Sequence, residues 1–219
     1  MEEYLKPGYF VDSGHPSIVD RAHSLTQTYE GDREKAVALF DFVRDAIAYN
    51  PYGPAKEKER YKASATLARG YGYCIQKAVL LTALLRAVSI PAALVFADIR
   101  NPLIPDNLKR VLKTNDFVYH CYNNIFVNGS WLKATCAFDS AMCAKLNIPV
   151  VRFDGTRDAV FPPITSDGRP FVVYLRHRGI SADIPFEEVM HEFESFYGEE
   201  VLSALERGRS VLAEFDSQA

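Results

Sequence analysis

Apolar side chains recur at helical spacing over the first fifty or so residues, then cluster and alternate as strands in the middle of the chain. Ser17 to Tyr29 reads as an amphipathic helix ended by Gly31. Asp32 is placed to cap a second helix, whose apolar stripe is Ala36, Leu39, Phe40, Val43 and Ile47. Asn50-Pro51-Tyr52-Gly53-Pro54 ends that pattern, since proline offers no amide to a continuing helix. A polar stretch from Lys56 to Lys62 follows. The apolar run from Ile75 to Leu85 then predicts a helix that opens at Cys74 and lasts to about Val88, before Pro91.

The second half changes period. Ala92 to Ile99 is short and apolar and reads as a strand. Residues 101–116 carry two prolines and a short helical pattern, an excursion long enough to serve as a lid. Phe117 to Val127, Asn128-Gly129, and Ser130 to Phe138 predict a hairpin with a two-residue turn. Further strands are expected at Val150 to Phe153 and Phe171 to Arg176, and closing helices at Pro185 to Tyr197 and Glu199 to Phe215. Helices first and strands later predict an α+β fold with an antiparallel sheet.

Composition narrows the class. The 219 residues suit one domain, 1–219, with a core over about 32–155 and a helical extension over about 185–216. An apolar fraction of 48% and a net charge of −3 give no basic footprint, which argues against nucleic acid. No run approaches the length needed to span a bilayer, and the acidic N-terminus lacks a secretion signal. A cytoplasmic protein with no membrane partner is the expectation. The four cysteines, Cys74, Cys121, Cys136 and Cys143, show neither a C-x-x-C pair nor zinc-site spacing, and a reducing compartment predicts free thiols.

Two residues carry candidate chemistry. Gly72-Tyr73-Cys74 places a thiol on the first turn of a helix, where free amides and partial positive charge favour the thiolate. His120 lies within the hairpin. If the Asn128-Gly129 turn has two residues and no bulge intervenes, partners sum to 257, so His120 faces Ala137 and shares its side of the sheet with Thr135 and Asp139. Cys121 and Cys136 then oppose each other on the other side. A base that takes a proton from a thiol needs its second ring nitrogen held by an acceptor; Asp139 suits this, and Thr135 does so more weakly.

The remaining candidates have plainer uses. His15, His23 and His191 read as surface or structural residues, and Arg176-His177-Arg178 as a solvated strand end that could otherwise bind an anion. Cys121 beside His120 is a poor metal pair, because adjacent strand residues point to opposite faces. Trp131 shares the His120 face and reads as an anchor under the hairpin.

Cys74 opening an apolar helix, Arg86-Ala87-Val88-Ser89-Ile90-Pro91-Ala92, a strand ending Phe96-Ala97-Asp98, His120, and the Gly129-Ser130-Trp131 hairpin occur in an order that resembles the transglutaminase-like superfamily, a branch of the papain-like cysteine acyl-transfer enzymes. The segments Ile47-Ala48-Tyr49 and Ala63-Ser64-Ala65-Thr66-Leu67 also look like those that precede the family's cysteine. The likeness covers about residues 35 to 140. It implies a papain/transglutaminase-like fold with the nucleophile helix packed on an antiparallel sheet, Cys74 as nucleophile and His120 as base. The family's third residue, an Asp four positions after the hairpin Trp, falls on Thr135 here; Asp139 is the carboxylate expected to take its place. The Cys74 amide is a natural oxyanion donor. Tyr49 or Tyr52 could supply the family's upstream aromatic donor, and Gln76 reads as solvated or capping.

The function implied is attack by Cys74 on an amide of a peptide or small molecule, giving a thioester released by water or by an amine, with no cofactor and no metal. The alternatives are a transglutaminase-like module that only binds, and an acyltransferase working from a carrier thioester.

Overall fold

The computed structural model describes residues 1–54 and 56–216. After a single 3-10 turn at Glu2–Leu5, two helices pack side by side: α1, Pro16–Thr26, and α2, Asp32–Ala46. α2 starts at its expected cap, one residue early: Gly31 is the capping residue, without a side-chain bond, and Asp32 is already helical. A two-residue strand, β1 (Ala48–Tyr49), pairs in parallel with β2 (Tyr71–Gly72). Between them lies α3, Ala63–Arg69, ended by Gly70 in the left-handed region at φ +76°.

α4, Cys74–Ala87, is the centre of the molecule: every residue from Ile75 to Arg86 is buried. A helix apolar all round has to be covered all round, and α1, α2 and α3 take one side while the sheet takes the other. The sheet has the order β5-β4-β3-β6, with β3 at Ala92–Arg100, β4 at Asp116–Val127, β5 at Ser130–Ala134 and β6 at Val173–Ser181, each antiparallel to its neighbours. Alternation along β3 sends Leu94 and Phe96 into the main core and Val95 and Ala97 into a smaller cluster with Tyr122. Asn123 of β4 fixes helix against sheet, donating at 2.8 Å to both the Ala78 carbonyl and Thr82 Oγ1.

Arg86 and Lys77 are the two cations that α4 carries into this core. Arg86 donates to the carbonyls of Ala92, Lys6 and Ala182, tying the end of α4 to β3, the N-terminal segment and the end of β6. Lys77 Nζ donates to the carbonyls of Arg44 (2.9 Å) and Ile47, groups that the end of α2 leaves without helical partners. Burial pulls its ammonium down to about 8.

Three expected strands differ. β5 stops at Ala134, not Phe138, because the Thr135 amide turns away to the Ala159 carbonyl at 2.9 Å. Residues 150–153 form no strand: Val151 and Phe153 are buried, and the Val151 carbonyl accepts from Arg44. The strand expected at Phe171 to Arg176 begins at Val173 and extends to Ser181. A short helix, α6 (Ser140–Leu146), follows β5, and α5 (Asp106–Leu112) lies within the 101–116 excursion. The chain closes with α7, Phe186–Tyr197, and α8, Glu199–Asp216. Among the described residues no helix is long and apolar enough to cross a membrane.

Candidate active site

Cys74 is the first residue of α4, and its surroundings are built by local bonds. The Tyr73 amide donates to Gln76 Oε1 at 3.3 Å while Gln76 Nε2 donates to the Arg60 carbonyl at 3.0 Å, so Gln76 caps the helix and anchors it. A side chain on Gly72 would press on Gln76, with a Cβ only 3.0 Å from that of the cap. The glycine keeps the chain close enough for the thiol to enter at the helix end.

β4 meets the thiol along its edge. The β4–β5 ladder runs from Val127–Ser130 to Asn123–Ala134 in the register expected of a two-residue turn, and then ends. Ala137 therefore never faces His120, and Cys121 never pairs with Cys136; the small residue across from His120 is Ala97 of β3, and Cys121 pairs with Phe96. Beyond Asn123 the β4 edge has lost β5, and the backbone amides of Cys121, Ile75 and Cys74 itself act to lower the Cys74 thiol. These three donors favour the thiolate, yet desolvation outweighs them and the thiol is pushed up to about 11. The helix start alone does not make Cys74 a resting thiolate. All four cysteines are free.

His120 and Cys74 line one cavity of about 380 Å³. No hydrogen bond joins them. His120 is 4% exposed and sits among aromatic rings, with centroids 5.6 Å from Phe161, 6.2 Å from Tyr174 and 6.3 Å from Tyr122. Burial pulls its imidazole down to about 3. At neutral pH the pair is thus a thiol and a neutral imidazole. His120 Nε2 and Thr135 Oγ1 are buried without hydrogen-bond partners.

Asp139 stands elsewhere in the hydrogen-bond network. It caps α6, with Oδ1 accepting the Met142 amide at 2.7 Å, and its Oδ2 accepts the Tyr49 amide at 2.9 Å. It makes no bond to His120. What it does hold is a wall of the cavity, since Tyr49, Phe138 and Met142 all line it and the Tyr49 ring meets Phe138 edge-on at 4.8 Å. Tyr49 is therefore beside the thiol, whereas the Tyr52 hydroxyl accepts from Asn107. Trp131 packs between Phe126 and Tyr4, as an anchor under the hairpin would.

A positioning device is illegible in the sequence. Tyr119, immediately before His120, is in the left-handed region at φ +54°, where β3 carries a bulge between Ala97 and Ile99. Such a conformation costs a bulky residue roughly 1–2 kcal/mol. Asp98 in the bulge accepts the Tyr119 amide, and Arg178 stacks its guanidinium 4.6 Å from the Tyr119 ring. Arg178 also bonds Asp98 at 2.7 Å and Glu192 at 2.8 Å, and the Tyr119 hydroxyl donates to Glu188. The Arg178 side chain is 9% exposed, so this member of the Arg-His-Arg run belongs to an ion network and not to a solvated strand end.

The order of these parts along the chain decides the family. The sequence profile of the Transglutaminase-like superfamily matches residues 19–136, more than half of the chain. The chain belongs to that superfamily. The match takes in Cys74 and His120 and ends just past Thr135. Two solved structures are similar in fold. A "putative cysteine protease" from Cytophaga hutchinsonii has a TM-score of 0.48 and 19% identity, over 82% of this chain and 46% of its own. A "putative protease" from Parabacteroides distasonis has a TM-score of 0.39 and 16% identity, over 60% of this chain and 24% of its own. The chain thus spans less than half the length of either. No curated protein matches it. At the level of the superfamily, a cysteine-dependent enzyme is supported.

Proposed function

We propose that this member of the superfamily is a cysteine-dependent acyl-transfer enzyme that opens an amide through a thioester on Cys74, most simply a hydrolase. The observation that carries this reading is that Cys74, the first residue of a buried helix, lines one cavity with His120.

In the proposed mechanism Cys74 attacks as a thiol, and its proton passes to the neutral His120 as the sulfur–carbon bond forms. The oxygen of the tetrahedral intermediate takes the amide of Cys74, and that of Cys121 stands beside it. Imidazolium returns the proton to the departing nitrogen as the carbon–nitrogen bond breaks. Water, deprotonated by His120, then attacks the thioester, releasing the carboxylic acid and restoring the thiol. Asp139 enters as a positioning residue, holding Tyr49 and the start of α6.

Water is favoured over a lysine side chain as acceptor by the charges of the cavity. Among the described residues its lining has no carboxylate to receive an ammonium, and its one formal cation, Lys145, would repel it. Intact-mass detection of an acyl-enzyme, from a library of peptides and simple amides and with or without an added amine, tests the reading. A mass gain lost in Cys74→Ala is expected, with free acid as the product. Binding without any mass gain would leave a transglutaminase-like module that does not catalyse.

A further inference from the structure

The cavity is far larger than one amide group requires, and most of its wall is apolar. The 101–116 excursion contributes Leu103, Ile104 and Leu108; α6 contributes Met142 and Leu146; α7 contributes Phe193. Its volume of about 380 Å³ is within the range of sites that enclose a small organic molecule. Polar side chains are a minority of the lining: Cys74, His120, Asn101, Asn107 and the exposed Lys145, with four tyrosines among the larger apolar set.

From these walls, and on the reading of Cys74 as nucleophile, we infer that the acyl group taken by this site is apolar and uncharged, an alkanoyl or arylalkanoyl chain that lies under the 101–116 excursion with its carbonyl at Cys74. A carboxamide or charged side chain placed against Leu103, Ile104, Leu108, Met142, Leu146 and Phe193 would lose its water to hydrocarbon surface. A chain of methylenes meets the opposite balance, since each one moves from water onto a leucine or phenylalanine surface. The excursion then has a definite role. It forms the roof of the acyl site, and Leu108 and Leu112 of α5 are its buried face toward the body of the protein.

Three measurements on the full chain test the inference. The first compares the p-nitroanilides of acetic, butyric, hexanoic and octanoic acids. The expected result is a kcat/KM that climbs about fourfold per added methylene until the cavity is filled. A flat or falling series, with acylation of Cys74 still detected, overturns the apolar acyl site while leaving the nucleophile in place. The second titrates octanamide and acetamide into the Cys74→Ala protein by calorimetry, which needs no turnover. Tighter binding of octanamide supports the site even if no substrate acylates the wild type, an outcome that would instead remove the catalytic reading. Equal or absent binding of the two counts against the site. The third is Leu103→Asp on the half-buried roof, expected to cut the octanoyl-to-acetyl ratio at least tenfold; Leu103→Ala, which adds no charge, should cut it less. Unchanged ratios in both variants would show that the chain lies elsewhere.

Discussion

Asp98 Oδ1 accepts the backbone amide of Tyr119 at 3.1 Å, and so a bulge in one strand sets the conformation of the residue that precedes His120 in the next. The imidazole has no bonded carboxylate of its own. Its orientation comes from the backbone on one side and from the rings of Phe161, Tyr122 and Tyr174 on the other.

Replacing Asp98 by Ala strips the Tyr119 amide and Arg178 of their acceptor. The unsatisfied groups should cost about 1–3 kcal/mol of stability, and Cys74 acylation should slow by roughly tenfold or more as the left-handed turn relaxes. Asp98→Asn keeps an oxygen for the amide and should restore most of the rate. Thermal unfolding together with single-turnover acylation reads both effects; an equal loss of rate in the two variants would assign the role to charge and not to backbone geometry.

Thiol reactivity should follow the buried values. With the Cys74 thiol near 11 and the His120 imidazole near 3, both are neutral between those limits. Alkylation of Cys74 by iodoacetamide should therefore rise about tenfold per pH unit through the neutral and mildly alkaline range. His120→Ala should leave that slope in place while abolishing acylation by substrate. A reactive plateau at mildly acidic pH, lost in His120→Ala, would reveal a thiolate–imidazolium pair instead.

Lys77 offers a test of the core. Its ammonium is lowered from 10.5 to about 8 by burial, so between those pH values the folded protein binds fewer protons than the unfolded chain and this group's contribution rises with pH. Below pH 8 that contribution is lost. Lys77→Met lacks it and also orphans the carbonyls of Arg44 and Ile47, a cost of about 1–3 kcal/mol. Urea unfolding at pH 7 and at pH 9.5 should show the variant less stable at both, with the wider gap at the higher pH. A gap that narrows would contradict the buried ammonium.

Asp139 can be separated into its two possible contributions. Asn caps a helix about as well as Asp, so Asp139→Asn should keep stability and most of the activity with an unchanged pH profile. Asp139→Ala should lose about 0.5–2 kcal/mol from the start of α6, plus activity through the released Tyr49 amide. If Asn proves as damaging to turnover as Ala, the negative charge itself serves His120.

Much of this architecture was legible because it rests on local signals. The apolar run after Cys74 announced a buried helix, and Asn128-Gly129 set a hairpin register that holds from Val127 to Asn123. Motif order singled out Cys74 and His120, which the fold brings to one cavity. What was not legible is where strands stop. Residues 135–138 are as apolar as the strand before them, yet Thr135 bonds the distant Ala159, a choice that no local pattern encodes. The same holds for Arg178, whose partners Asp98 and Glu192 come from two other elements. Lys77 did leave a trace, as the lone cation in the apolar run from Ile75 to Leu85, and Tyr73 with Gln76 has the spacing of a cap.

The early end of β5 has one more effect. A strand that loses its neighbour exposes a row of amides and carbonyls, which is where a second copy of a protein can add itself and begin to aggregate. In this chain the open stretch of β4 is occupied by the start of α4 and enclosed by the cavity walls. The edge beside Cys74 is thereby withheld from strand-to-strand self-association, so enlarging the site by trimming those walls would come at the expense of solubility.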